Sequence, residues 1–406
     1  MKRFASWIIL AAALAAGCGK APVDEAKVEA YNRWHLTRAK VLVSLGRKQL
    51  GVGEMDKALA SASEALKLKE DYTEARVLLG KVLIEKGQYA HAIAQLRRCT
   101  KEQPESSRCA YLLGVALERH GMLQEALDSY LLAEQLDDKD FHPVVAAGEV
   151  MVSLGQVQRA QEHVEGFIGK TVRDDPALYE LAGRIASMRQ EHERAARHFL
   201  AACDLAPGTT SYQELLGRSQ MAAGRYAEAA ETFGQLGDVE DYQAPAWVYS
   251  MLGQCHMALD NPNRARTAFD QAAKMNGNSP EVWCDLARAE LANGDAGRAV
   301  LSAREALQQD KNHLDGTLLL AFSLMRTQQN AGAIRILSAA SVKHPKSTMV
   351  HCLLGKAYAA DGKLAKATES YREALRLDPR NAAARELLKA ARQNGREVSS
   401  SDETNQ

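Results

Sequence analysis

The sequence has no excess of charge of either sign: 51 basic residues stand against 51 acidic ones in 406, with a pI near 7.2. A chain without a net field exerts no long-range pull on nucleic acid or anionic lipid, which sets nonspecific nucleic-acid binding aside. It also lacks an apolar run of the ~20 residues that a membrane-spanning helix needs, since the stretch from Phe4 to Leu14 falls well short. The usual signatures of chemistry are missing too. No glycine-rich phosphate loop follows a strand-like run, and neither G-x-S-x-G nor C-x-x-C occurs. The nearest approach to a metal motif is His192-Glu193 in EHERAARH. A zinc site of that type needs a second histidine at 196, where the chain has Ala196, and His198 comes two residues too late. That stretch reads as a solvated helix face, and no catalytic residue, metal or cofactor is expected.

What is present begins at the N-terminus. Lys2 and Arg3 precede the apolar stretch, and small residues end it at Gly17, which is the anatomy of a secretory signal peptide over 1–17. Ala15-Ala16-Gly17-Cys18 then resembles a bacterial lipobox, with Ala15 where leucine is usual and Leu14 one place earlier. The resemblance implies that Cys18 carries a lipid and, because Gly19 is not aspartate, that the protein is sorted to the outer membrane facing the periplasm. Ala13-Leu14-Ala15 also fits ordinary signal peptidase cleavage, which would release a soluble periplasmic protein. Loss of Lys2 and Arg3 leaves the processed chain near neutral, at 49 basic against 51 acidic residues.

The body of the chain repeats. VLLGKVLIEKGQYAHAIAQL at 77–96 lies over YLLGVALERHGMLQEALDSY at 111–130, offset by 34 residues, and CLLGKAYAADGKLAKATESY at 352–371 matches both. One register gives Gly46, Gly80, Gly114, Gly148, Gly183, Gly217, Gly253, Ala287, Ala321 and Gly355, and twelve residues after each stands an alanine, Ala58 through Ala367. Two amphipathic helices per unit account for this if a small residue in the first faces the alanine in the second, so that the backbones approach closely. Seven of the ten units place a glycine between the helices, where the chain needs a left-handed residue. Pro104, Pro207, Pro345 and Pro379 stop the second helix.

The spacing, the Leu-Gly pairs such as Leu79-Gly80 and Leu354-Gly355, the recurring alanine and the late proline resemble the tetratricopeptide repeat family. The aromatic that this family prefers in the first helix is mostly missing, in keeping with an aromatic content of only 6%. The resemblance implies an all-α, right-handed superhelical solenoid. Ten helix-turn-helix units would run over 39–72, 73–106, 107–140, 141–175, 176–209, 210–245, 246–279, 280–313, 314–347 and 348–381. The lipidated cysteine, a short tether and a helical lead-in with Trp34, either capping unit one or extending its first helix, would occupy 18–38, a capping helix 382–395 and a disordered polar tail 396–406. Two joints depart from the 34-residue count, GFIGKTVRDDP in unit four and GQLGDVEDYQAP between units six and seven. The second reads as a surface insertion or a hinge.

Six cysteines follow Cys18. Cys99 and Cys109 lie close enough in the repeat pattern for a disulfide, Cys255 and Cys284 form a weaker pair, and small buried hydrophobes are the alternative for both. In this family the first helices line a concave groove, and the residue after each small one points into it. Six of those ten positions are basic: Arg47, Lys81, Arg184, Arg218, Arg288 and Lys356. Such a ladder suits an acidic segment or solvates the groove, while Tyr111, Trp247 and Phe322 offer apolar contact. The asparagines of the family's carboxylate clamp are absent. The expected function is a non-catalytic binding scaffold in the bacterial envelope, holding a protein or peptide partner and touching the membrane through its lipid alone. It would assist a pilus, secretion or exopolysaccharide-export machine. A soluble periplasmic adaptor and a non-catalytic subunit of an envelope enzyme complex are the alternatives.

Overall fold

The computed structural model describes residues 25–169, 175–239 and 242–403, with side chains up to 393. The signal peptide, Cys18 and the tether lie outside the described residues. Among those residues the chain forms twenty-one α-helices and no strand, and it divides into two bodies, 1–189 and 190–406.

In the N-terminal body the first (A) and second (B) helices of units one to four are Glu25–Gly51 with Met55–Leu68, Thr73–Glu85 with Tyr89–Glu102, Ser107–Arg119 with Leu123–Leu136, and Phe141–Ser153 with Val157–Glu165. The A-helix of unit five, Pro176–Met188, closes this body, started by Asp175, whose carboxylate accepts a hydrogen bond from the Ala177 amide at 2.9 Å. In the C-terminal body the B-helix of unit five is His192–Leu205. Units six to ten follow as Thr210–Ala222 with Tyr226–Gly237, Ala246–Ala258 with Pro262–Met275, Pro280–Ala292 with Ala296–Gln309, Leu314–Arg326 with Asn330–Lys343, and Thr348–Ala360 with Leu364–Leu377.

The turn inside every unit takes a left-handed residue. Seven are glycines with φ between +70° and +86°, and the other three are Gln190, Asp260 and Gln328 at +55° to +61°. The backbone demand therefore holds even where the sequence supplies no glycine.

The small residue of the A-helix has a different neighbour from the alanine expected. A β-carbon on Gly114 would stand 2.5 Å from the Tyr130 ring, on Gly253 2.6 Å from Phe269, and on Gly355 2.5 Å from Tyr371. Each ring sits four residues after the recurring alanine, one helical turn along the same face. The glycine thus makes room for a large buried side chain, while the alanine, fully buried in all ten units, lets the helices close up. Where the A-helix carries Ala287 instead, the matching B-helix residue is Ala303, and both lie in one apolar cluster.

Of the two readings of the lead-in, the structure shows the second: it extends the first helix of unit one as Glu25–Gly51. Two further expectations change. The last helix does not stop at Gly395; its backbone runs from Ala382 to Glu403, so the tail at 396–406 is helical through residue 403. A lone glycine inside a helix costs about 1 kcal/mol, which is too little to end one unless a left-handed cap forms. The insertion between units six and seven is not a loose surface loop. Gly237 closes on the Tyr249 ring, Ala244 is buried, and the Tyr242 hydroxyl donates to Glu214 Oε1 at 2.6 Å on the A-helix of unit six.

Candidate functional site

The A-helix surface of the N-terminal body brings Arg47, Lys81 and Arg108 together. Arg47 pairs with Glu74, and Arg108 stands 3.7 Å from the same carboxylate. Lys81 holds its proton less firmly than an ordinary lysine, first because it is partly buried and then because Arg108 and Arg47 repel its charge, with Glu85 opposing them. The Tyr111 ring lies 5.6 Å from Tyr130 and 6.4 Å from His142, and burial pushes its hydroxyl pKa up. Arg184 is 3.5 Å from Glu149 and 3.9 Å from Glu180, at the edge of a hollow of about 240 Å3 lined by Glu118, Leu181 and Met188. Glu118 is half-buried and accepts a 2.6 Å hydrogen bond from the Tyr130 hydroxyl.

In the C-terminal body the guanidinium of Arg218 lies over the Trp247 ring at 4.1 Å, and that ring meets Phe233 edge-on at 6.3 Å. Arg218 and Trp247 therefore act as one unit. Arg288 pairs with Asp285 and, at 2.8 Å, with Asp315. Burial raises the Asp285 pKa, while Arg288 and a hydrogen bond from Gln254 oppose the rise. Beyond Arg288 the structure gathers Phe322 and Lys356 around a hollow of about 370 Å3 that also takes in Leu318, Met349 and Leu353. Phe322 and Met349 are 38% and 59% exposed, so this is apolar surface open to solvent. Among the described residues Lys356 has no carboxylate within 4.0 Å.

The sequence-marked positions thus fall into separate groups: Lys81 with Arg47, Tyr111 with His142, and Arg184 in the first body, and Arg218 with Trp247 and Arg288 with Phe322 and Lys356 in the second. Sequence reasoning missed the carboxylates that neutralise the ladder. Glu74 and Asp315 both stand six residues before the small residue of the next A-helix, and that offset was the available signal. Cys99 and Cys109 are joined as a disulfide with Cα atoms 5.9 Å apart, tying the end of one B-helix to the start of the next A-helix. Cys255 and Cys284 are free thiols, both pushed up to about 11 by burial. Among the described residues no cluster of three or more metal-ligating side chains occurs.

The paired helices, the turn geometry and an A-helix surface of this kind define a repeat protein built to hold other proteins. Models of the tetratricopeptide repeat match residues 145–209, 250–313, 290–357 and 349–381, and the model of the anaphase-promoting complex, cyclosome, subunit 3 matches 52–133. The chain belongs to the tetratricopeptide repeat family. Among its relatives is the BBSome complex member BBS4 of Bos taurus, 25% identical over 335 residues that make up 80% of this chain and 63% of that protein. Another is lipopolysaccharide assembly protein B of Escherichia coli K12, 25% identical over 244 residues, covering 58% of this chain and 54% of that one. The chain spans less than two thirds of the length of either relative. Solved structures similar to it include the Cut9–Hcn1 hetero-tetramer of the anaphase-promoting complex, with a TM-score of 0.40 at 13% identity over 87% of this chain and 96% of that one. A second is the C-terminal part of a repeat protein from Cytophaga hutchinsonii, with a TM-score of 0.45 at 16% identity, covering 68% and 99%.

Proposed function

We propose that this protein is a non-catalytic scaffold of the bacterial envelope, held at the membrane by a lipid on Cys18, which binds a segment of a partner protein on its A-helix surface and assists an envelope assembly machine. The observation that carries the binding reading is the hollow at Phe322, Met349 and Leu353 beside Lys356, which has no carboxylate within 4.0 Å among the described residues. An apolar side chain of the partner fits the hollow, and a neighbouring carboxylate fits the lysine. The envelope reading is supported by the lipobox-like Ala15-Ala16-Gly17-Cys18 and by the relative that is a lipopolysaccharide assembly protein. The soluble periplasmic adaptor is the second reading, favoured by Ala13-Leu14-Ala15 as an ordinary cleavage site.

A photo-crosslinking residue at Met349, expressed in cells, should join one protein partner in the membrane fraction, and the same residue at Lys366 should not. Changing Cys18→Ser should move the crosslinked product to the soluble fraction. Equal crosslinking from both positions would remove the hollow from the proposal. An unchanged membrane fraction with Cys18→Ser would remove the anchor.

A further inference from the structure

The two ends of the repeat array differ. The last helix turns Arg385, Glu386 and Lys389 to solvent, the polar outer face that a terminal repeat needs. The first helix, Glu25–Gly51, does the opposite. Tyr31, Trp34, Val41 and Leu45 are 63%, 54%, 64% and 46% exposed. With Arg38, Lys48 and Val52 they recur at alternating steps of three and four residues, the spacing of a helix-pairing seam.

Within the seam, Val41 and Leu45 hold the positions five and one before the small residue Gly46. In the other A-helices of this body the same positions are Ala75 with Leu79, Cys109 with Leu113, Pro143 with Ala147 and Leu178 with Ala182, and all are buried. Unit one therefore presents the face of an internal unit, and among the described residues no helix lies before Glu25 to cover it. The other half of the helix, before Ala39, projects beyond the unit and is joined to it by the ion pair of Arg38 with Glu64 at 3.1 Å. Tyr31 and Trp34 touch His35 on the same helix, at ring distances of 4.0 and 4.9 Å, and Arg38 lies over Trp34 at 5.5 Å.

We propose that two copies of this chain pair through their first helices in antiparallel fashion, each projecting half covering the bare face of the other copy. The B-helices of units one to three are each joined to the next A-helix by a short turn, so antiparallel packing is how that face is covered in those internal units. Centring the pair between Ala39 and Lys40 sets Trp34 opposite Leu45, Arg38 opposite Val41 and Tyr31 opposite Lys48. No two cations then face each other, and Lys48 meets an aromatic ring. The flanking positions Ala30, Thr37, Ser44 and Gly51 recur every seven residues, are small and carry no charge, so a second helix can approach closely without repulsion.

The test is sedimentation equilibrium of the full chain in detergent and of the processed chain with Cys18→Ser in buffer. Both should show a monomer–dimer equilibrium. Tyr31→Ala/Trp34→Ala should weaken it at least tenfold and leave the thermal midpoint of the monomer unchanged, because the projecting half supports no core of its own chain. Under mild oxidation the pair Trp34→Cys/Leu45→Cys should link two copies, and neither single variant should. A monomer at all concentrations would overturn the proposal. Linking by the single variants as efficient as by the pair would replace it with a parallel arrangement. A full chain that stays monomeric while the processed chain dimerises would assign the seam to residues 1–17. A dimer that dissociates on vesicles of phosphatidylcholine and phosphatidylglycerol, with the monomer bound, would assign it to the membrane.

Discussion

At the scale of single residues, the unit is held by a reciprocity of size between its two helices. A β-carbon added to Gly114 would come within 2.5 Å of the Tyr130 ring, and a buried ring cannot step aside as a flexible chain can. Gly114→Ala should therefore cost about 1–3 kcal/mol in denaturant unfolding. Tyr130→Ala is damaging alone, since it empties a buried site and strips Glu118 of its hydrogen bond, yet Gly114→Ala should cost little in that background. Additive costs would show that the two positions do not share the space. A second reciprocity is polar. Ser61 donates to Gln49 at 2.8 Å, Thr232 to Gln220 at 2.8 Å and Ser302 to Glu290 at 2.7 Å, each pair bridging the helices of one unit three residues beyond the glycine–alanine register. Glu290 alone brings a charge there. Its pKa is raised, mainly by burial, against the hydrogen bond from Ser302 and the nearby Arg298 and Arg266. A raised carboxyl pKa means that the folded state binds the proton more tightly than the unfolded one, so this group adds stability as pH falls through the interval between the two values and costs stability above it. Glu290→Gln keeps an acceptor for Ser302 without the charge. It should raise the thermal midpoint at about pH 8 and make no difference at about pH 4, near the ordinary glutamate value. A gain that is the same at both pH values would place its origin outside the ionisation.

At the scale of helices, much was legible because periodicity and punctuation act locally. Ten alanines at one offset located every B-helix, and the glycines located most of the turns. Asp260 and Gln328 show what the punctuation could not announce: the turn is imposed by the two helices packed on either side, whatever residue sits in it. Gln328 at φ +61° bears a strain that glycine would not, so Gln328→Gly should stabilise the chain by up to about 1 kcal/mol despite the added freedom of the unfolded state. A loss of stability would mean that the side chain makes contacts worth more than the strain. The contacts between helices were less legible. At Gly80, Gly114, Gly148, Gly217, Gly253 and Gly355 the partner was misplaced by one turn, because alanine and the large side chain four residues after it lie on the same face and spacing alone does not say which one reaches the neighbour. The Tyr242–Glu214 hydrogen bond joins residues 28 apart, and no local pattern marks it. The helix from Glu25 also runs farther upstream than the repeat register requires, since the register describes what packs and most of this segment is exposed, with Arg38 reaching Glu64.

At the scale of the whole molecule, the absence of net charge in the sequence recurs inside the structure as pairing. The ladder of six basic positions looked like a strip of free cations. Within their own bodies, however, Arg47, Arg184 and Arg288 are each matched to carboxylates, and Arg218 lies on Trp247. Charges already paired at close range add little to the field felt by an incoming ligand. Lys81 and Lys356 are left, the first held among like charges and the second without a carboxylate nearby. The salt response of partner binding should therefore reflect about two ionic contacts, not six, and should be shallow once screening sets in at ~10 Å near 0.1 M salt. With the partner recovered by crosslinking, Lys81→Gln/Lys356→Gln should weaken binding and make its affinity almost independent of salt between about 0.1 and 0.3 M. Arg184→Ala should act in another way: it exposes Glu149 and Glu180, so an acidic segment binds less well while the slope set by the two lysines persists. Trp247→Ala should reduce affinity and also release Arg218 from its ring, which adds a free cation and steepens the salt response. A slope that survives the double lysine change but vanishes with Arg184→Ala would show that the paired arginines open to meet the partner, and that the internal ion pairs give way on binding.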